Sequence, residues 1–442
     1  MTLACCLALL AADQLGASPP VEDPQAVTDD AENAVGQQSS NTAPPHDDAG
    51  PVETPDLALA EPDESNSGKL KLGAAIRARI DIRPFDANDA GERRTSAHLS
   101  YDTLLLTADY DSPVLFGSAQ YRFYGASFLY PESSGYDGKP WDIHFPVYAY
   151  VGAKVSETDR ITIGIQPVPF DDRWWGSSWY DSLGFVFGME EVYNTGIAYG
   201  HADDRLSIDV GYFPVAGPPG VGMSEDSARF TVNVVEADPY VPGGSRNAER
   251  DMLAGRVQYR LGEADTGQVT LSGSAWFSAI HNFDTGEDGR RRNFAFSLRG
   301  EQGPWRSKLL AARQDIDTRN AGRCDVITVG DYDSSYNIAA RGTMLFGEVA
   351  RTIDTGDLPF DLSVYTSYAR FLKDTAGFKD TQRINLGAFW TDKAGGNIRV
   401  WSEALVGRND PYVGAGQFLT GAGQGGDDRW KASGLVMMGY YF

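Results

Sequence analysis

From Lys69 onward the chain alternates between apolar and polar positions. In KLKLGAAIRARIDIR, Leu70, Leu72, Ala74, Ile76, Ala78, Ile80 and Ile82 hold the even positions. Lys69, Lys71, Gly73, Arg77, Arg79, Asp81 and Arg83 hold the odd ones. Side chains alternate faces along a strand, so this segment is predicted as a strand with one apolar and one mostly charged face. It is long for a soluble strand, which typically runs about 3–10 residues.

The pattern recurs. RLSIDVGYF groups Leu206, Ile208, Val210 and Tyr212, and DIHFPVYAYVGAKV groups Val147, Ala149, Val151, Ala153 and Val155. MLAGRVQYRL sets Leu253, Val257, Tyr259 and Leu261 against Arg256, Gln258 and Arg260, and NFAFSLRG sets Phe294, Phe296 and Leu298 against Ser297 and Arg299. The terminal GLVMMGYYF groups Val436, Met438, Tyr440 and Phe442. In HLSYDTLLLTADYD and YNIAARGTMLFGEVARTI the register is ambiguous, and a bulge would resolve it. About sixteen strands follow, beginning near Lys69, His98, Val114, Ile143, Arg160, Tyr193, Arg205, Asp251, Gln268, Asn293, Trp305, Asn337, Phe360, Gln382, Asn397 and Lys431.

The connections give an independent signal. After even-numbered strands they are short: DSP, SETDR, HADDR, GEADTG, EQGP, TGDLP and KAGG. After odd-numbered strands most are long, including Asp86–Thr95, YPESSGYDGKPW, Asp171–Val192, Gly217–Arg250, FDTGEDGRRR, Thr318–Tyr336 and Asn409–Arg429; DTAGFKD is modest. Short turns at one rim and long loops at the other mark an all-β, closed antiparallel transmembrane barrel. The expected location is the bacterial outer membrane, with outer-membrane lipid around the barrel. The last strand then pairs with the first, because a barrel leaves no free edge. Its terminal Phe442 resembles the C-terminal signal by which barrel-assembly machinery recognises bacterial outer-membrane proteins.

Composition refines this. The net charge is −23, which argues against a nucleic-acid partner. The acid is uneven: Met1–Gly68 holds no Lys or Arg. MTLACCLALLAA reads as the apolar core of a signal peptide, so residues 1–17 are expected to be a leader. A mildly apolar tail or a lipoprotein through Cys5 are the alternatives. Residues 18–68, rich in Pro, Asp, Glu, Ala and Ser, read as a disordered acidic linker. Residues 69–442 make the barrel. Cys324 is the one cysteine past the leader, so no internal disulfide is available there.

The stretch Arg160–His201, RITIGIQPVPFDDRWWGSSWYDSLGFVFGMEEVYNTGIAYGH, carries a more specific pattern. A strand ending xGxQxxPF leads to an aromatic and serine-bearing segment, an acidic pair and a returning xNTGIxY strand. It resembles the Gram-negative porin superfamily that includes the phosphate-selective (O/P-type) porins. The resemblance implies that the third connection folds into the lumen and narrows it, and that the protein is a homotrimer. The constriction would then comprise Asp171, Asp172, Arg173, Trp174, Trp175, Trp179, Tyr180, Asp181, Glu190 and Glu191. Trp174, Trp175, Trp179, Tyr180, Phe185 and Phe187 suit packing against a wall; a loop that merely caps the barrel or helps subunit contact is the plainer reading.

If the apolar faces meet lipid, Lys69, Lys71, Arg77, Arg79, Arg83, Arg122, Arg160, Arg205, Arg256, Arg260, Arg299, Arg383 and Arg399 line the lumen. Fixed cations in a pore favour anions. Alternatively these arginines pair with lumen carboxylates such as Asp81, Asp209 and Glu403 and brace the wall. A phosphate-selective porin would need a lysine cluster, and only Lys69, Lys71 and Lys154 read as lumen lysines. The expected function is passive diffusion of small hydrophilic solutes or ions, without enzyme activity, cofactor or metal. A substrate-specific channel for anions or oligosaccharides is the second reading, and a structural or adhesin barrel the third. Outer-membrane enzymes need a histidine constellation; His98 and His144, with Ser100 and Asp142 nearby in sequence, are the nearest approach to one.

Overall fold

A computed structural model describes residues 68–87, 93–125, 141, 143–171, 182–218, 233–234, 246–263, 266–331, 334–414 and 419–442. The leader and nearly all of the linker expected from the sequence lie outside them. Among the described residues the strands are β1 (Lys69–Ala87), β2 (Arg93–Asp111), β3 (Leu115–Tyr124), β4 (Ile143–Lys154), β5 (Asp159–Pro167), β6 (Tyr193–Ala202), β7 (Leu206–Ala216), β8 (Asn233–Val234), β9 (Asn247–Glu263), β10 (Gly267–Asn282), β11 (Asp288–Gln302), β12 (Trp305–Asp317), β13 (Val326–Asp331), β14 (Ser334–Ala339), β15 (Arg341–Ile353), β16 (Phe360–Lys373), β17 (Thr381–Asp392), β18 (Ile398–Arg408) and β19 (Trp430–Tyr441). Sixteen of these close one antiparallel barrel, while β8, β13 and β14 form a separate three-stranded sheet.

Closure follows the sequence expectation. Strand β1 pairs with β19 from Ala75 opposite Tyr441 to Ile82 opposite Gly434. Phe442 continues the ladder: its carbonyl accepts from Ala74 N at 2.8 Å, and its N–H donates to Ala74 O at 2.9 Å. The faces also follow the alternation. On β1, Leu70, Leu72, Ile76 and Ile80 are exposed, while Arg77, Arg79 and Asp81 are buried inside the barrel. The same holds for Val257 and Tyr259 on β9, Phe294 and Phe296 on β11, and Met438 and Tyr440 on β19, all exposed outward. So continuous an apolar exterior is rare on a soluble monomer and suits hydrocarbon. Tyr110, Tyr259, Trp305, Tyr440 and Phe442 cluster near the rim of short turns, as an interfacial aromatic girdle would.

Three details depart from the sequence reading, and a fourth resolves an ambiguity it left open. Val147 was expected outward but is buried. Gln120 pairs with Tyr148 while the next residue, Tyr121, pairs with Pro146, so Val147 is the extra residue of a bulge. Pro146 has no N–H to give the ladder, and a bulge accommodates that. The ambiguous register of β2 resolves in the same way: Arg77 pairs with Thr103 and Ala78 with Tyr101, which leaves Asp102 as the extra residue. The first and fifth long connections shrink to residues 88–92 and 283–287, because the flanking strands run on beyond the alternating core. Finally, the strand expected near Asn337 divides. Asn337 belongs to β14, and the barrel strand β15 begins at Arg341. The chain bends at Ala340, whose N–H donates to Asp325 O and whose carbonyl accepts from Ile316 N.

Because Phe296 lies mid-strand on the lipid face, Phe296→Arg is expected to destabilise the folded barrel by about 2–4 kcal/mol. Guanidinium unfolding in phospholipid vesicles measures this, and a change within about 0.5 kcal/mol, as for an ordinary surface site, would contradict the assigned face.

Candidate functional site

The motif-bearing strands β5 and β6 set the frame. Gly164 pairs with Gly196 across them, and Gly164 adopts φ 133° with no room for a Cβ against Ala149 O. Gln166 Nε2 then donates to Gly196 O at 2.8 Å. The glycines and glutamine of the motif thus hold the two strands where the third connection leaves and returns. Both ends of that connection turn through left-handed backbone, at Asp171 (φ 55°) and Glu191 (φ 52°).

Asp171 is gripped by the inward faces of four strands. Its N–H donates to Ser274 Oγ on β10 at 2.9 Å. Its carboxylate accepts from Ser297 Oγ on β11 at 2.6 Å and meets Lys308 Nζ on β12 at 2.7 Å. Its carbonyl accepts from Arg256 Nη1 on β9 at 2.7 Å. Further along the connection a one-turn helix, α1 (Leu183–Val186), is capped by Ser182, whose Oγ accepts from Phe185 N at 3.1 Å. Ser182 Oγ in turn donates to the Glu190 carboxylate. Phe187 stacks on Phe371 of β16 with ring centroids 3.7 Å apart. Val186 O accepts from Tyr336 OH at 2.8 Å, and Gly188 O from Arg291 Nη2 at 2.7 Å. Leu183, Phe185, Val186 and Phe187 join a buried apolar cluster with Tyr336 and Ile338 of the small sheet. Asp172, Arg173, Trp174, Trp175, Trp179, Tyr180 and Asp181 lie outside the described residues.

Arg160, Thr162, Gln166, Asp209 and Arg256 on the wall and Asp171, Glu190 and Glu191 on the connection line one cavity of about 490 Å³. That volume falls in the range of small-molecule pockets, about 300–1,000 Å³. Two guanidiniums thus line one space together with Asp209 of the wall and Asp171, Glu190 and Glu191 of the connection.

The predicted basic residues take inward-facing strand positions with one exception. Arg205 sits exposed in the short turn between β6 and β7, because β7 starts only at Leu206. Several of the others are braced by carboxylates. Arg77 meets Asp102 at 2.9 Å, Arg79 meets both Asp81 at 2.7 Å and Asp102 at 3.3 Å, and Arg383 meets Asp410 at 2.5 Å, all buried. Arg160 and Arg256 share Asp209, at 3.2 and 2.8 Å, and Arg299 lies 3.6 Å from Glu301. Arg399 stacks over the Tyr441 ring, and Arg122 donates to Tyr124 OH at 2.8 Å. Lys69, Lys71, Arg83 and Arg260 lie along the same inward parity. Lys154 reaches Asp111 at the rim of short turns, at 2.6 Å. Outside the strands, hydrogen bonds from Arg408 hold the Asp428 carboxyl below the usual carboxylate range.

Some inward residues escaped the sequence reading. Lys308 is a lumen lysine, and its parity was legible: it alternates with exposed Leu309. Arg291 shares the parity of Ser297 opposite Phe294 and Phe296. It is buried over the Trp276 ring at 4.1 Å and meets Glu249 at 3.3 Å. Glu249 also accepts from Trp276 Nε1 at 3.1 Å. Of the histidines, His144 Nδ1 lies 2.8 Å from Tyr121 OH and His201 Nδ1 lies 3.0 Å from Asp159. Asp142 lies outside the described residues.

No family model matches the chain, and no curated protein does. Solved structures do match over nearly their whole length. The outer-membrane channel DcaP of Acinetobacter baumannii superposes with TM-score 0.54 at 10% identity, covering 86% of this chain and 99% of its own. OmpF of Salmonella typhi, in complex with daunomycin, gives 0.51 at 12%, covering 86% and 98%. The anion-selective porin of Comamonas acidovorans gives 0.50 at 12%, covering 85% and 100%. The fold is that of the bacterial outer-membrane channels.

The Arg291–Glu249 pair generates a prediction, since removing one partner of a buried ion pair leaves the other charge uncompensated. Glu249→Gln is expected to cost about 3–5 kcal/mol, and a second change, Arg291→Met, to restore much of that loss. Denaturant unfolding of both variants in vesicles reads this; additive losses would show that the two residues act separately.

Proposed function

We propose that the chain is an outer-membrane porin through which small hydrophilic solutes or ions diffuse passively. One observation carries this: a closed barrel of sixteen strands has an apolar exterior and an interior lined by charged and polar side chains. Barrels of about 16–18 strands enclose more space than their own side chains fill, so a water path is the natural use of the interior. In this reading the leader directs export, the acidic linker precedes the barrel, and Phe442 serves the assembly machinery.

The third connection is the constriction. Asp171 bound to β9–β12 and Phe187 stacked on β16 support its passing from one wall of the lumen toward another. Asp172, Arg173, Trp174, Trp175, Trp179, Tyr180 and Asp181 complete it, and Glu190 and Glu191 close it beside the returning strand. Because Arg77, Arg79 and Arg383 are neutralised by buried carboxylates, they brace the wall rather than attract anions. This favours a narrow, weakly selective channel over a phosphate channel. A sugar-specific channel, with Trp174, Trp175 and Trp179 as stacking surfaces, is distinguished by whether a sugar blocks the current. Assembly as a homotrimer belongs to the same reading, and native mass measurement in mild detergent tests it: a monomer would contradict it.

In a planar bilayer the purified protein is expected to conduct, with a small ohmic current. The double variant Trp174→Ala/Trp175→Ala is expected to raise the conductance by removing bulk from the constriction. A protein that folds but passes no ions would overturn the channel reading; an unchanged conductance in the double variant would overturn the constriction.

A further inference from the structure

The inner wall formed by β15–β18 holds polar groups that the bracing pairs do not use. Glu348 on β15 lies opposite Ser367 on β16, and Ser367 lies opposite Asn385 on β17. These three are neighbours in one inward-facing row. All three are at least nine-tenths buried: Glu348 is 7% exposed, Ser367 9% and Asn385 1%. Glu348 Oε2 and both polar atoms of the Asn385 amide, Oδ1 and Nδ2, make no hydrogen bond among the described residues. A buried amide left unmade on both sides costs free energy, and a ligand that donates hydrogen bonds would recover the acceptor's share of it. The next row brings Tyr365, which donates to Glu403. Burial is the largest influence on Glu348, followed by the charges of Glu190 on the third connection, of Lys308 with the opposite sign, and of Glu403. Lys308 is already engaged by Asp171 at 2.7 Å. Carboxylates therefore outnumber cations around this row among the described residues.

The acceptors define the ligand. A carboxylate oxygen and an amide oxygen, in a field dominated by carboxylates, call for a cation that carries hydrogen-bond donors. Strands two apart lie about 10 Å from each other, a separation that one ammonium-sized group bound to both Glu348 and Asn385 above Ser367 would bridge. Glu190, whose charge acts on Glu348, also lines the 490 Å³ cavity, which links the row to the proposed solute path. We propose that Glu348 and Asn385 form a binding site for small cations with N–H donors, such as the primary ammonium group of an amine, and that this site sets which solutes dwell in the channel. The proposal rests on the channel reading and names the solute chemistry of its lumen.

The test uses the full chain and 1,4-diaminobutane as probe. In planar bilayers the diamine is expected to block current through the native protein, with tetramethylammonium, which lacks N–H donors, blocking far less. Glu348→Gln and Asn385→Leu are each expected to weaken the diamine block by about tenfold or more, the loss of one charge-assisted or buried hydrogen bond. Heat-modifiable migration on gels confirms that both variants fold. Equal block by the two cations, or unchanged block in both variants, would overturn the site. If diamine and tetramethylammonium block equally but Glu348→Gln alone lowers K⁺ over Cl⁻ permeability, the row serves alkali ions and the N–H assignment falls. If no version conducts, the channel reading fails, and calorimetric titration of diaminobutane into the detergent-solubilised protein decides the site alone. Binding to the native chain that is lost in both variants would support it, and no binding would overturn it.

Discussion

Backbone hydrogen bonding without water is the constraint on which this structure depends. In hydrocarbon an unpaired N–H or C=O costs several kcal/mol, and no solvent is there to repay it. A sheet in that environment has to close on itself. The β1–β19 pairing does this, and the ladder runs to the terminal residue, where Phe442 exchanges both backbone hydrogen bonds with Ala74. A chain that ended a few residues earlier would leave β1 with an open edge at the rim of short turns.

Closure imposes a second demand, on the inside. Every charged residue that the alternation keeps from lipid is delivered to the lumen, where much of it is buried. A buried charge without a partner is expensive, and a partner with good geometry removes most of that cost. The wall meets this demand by local distortion. The bulge at Asp102 turns a carboxylate inward between Arg77 and Arg79. Asp410, from the connection after β18, reaches Arg383. Asp171 brings a carboxylate to Lys308 from the connection after β5. The long connections therefore supply counter-charges as well as bulk, which is why they grip the inner wall at named atoms.

The regular part of this fold was legible in the sequence because strand side chains repeat every two residues, and lipid makes that repeat unforgiving. Leu70 to Ile82 and Phe294 to Leu298 could be assigned to faces without coordinates. What escaped was local. Val147 and Asp102 were misread or unread because a bulge changes parity without changing composition. The division at Ala340 was missed because β14 and β15 are both good strands, and only the bend between them shows that they serve different sheets. The inward arginines were found, yet their partners were mostly not, since pairing depends on register between strands distant in sequence. Asp81 and Asp209 were the readable exceptions: both were expected to brace lumen arginines, and they pair with Arg79 and with Arg160 and Arg256. The centre of the expected constriction, Asp172 to Asp181, lies outside the described residues, so its part in the site rests on the residues flanking it.

The central claim is that one parity of each strand meets lipid and the other meets an aqueous lumen. Nitroxide labels placed singly at Val257→Cys and Gln258→Cys, in a background with Cys5, Cys6 and Cys324 changed to Ser and reconstituted in vesicles, test it directly. Val257 is exposed on the outer face, and Gln258 is its inward neighbour. The account predicts strong relaxation by oxygen and weak relaxation by a water-soluble nickel complex at residue 257, with the order reversed at residue 258. Equal accessibility to the nickel complex at both positions would contradict it, because both faces of β9 would then meet water.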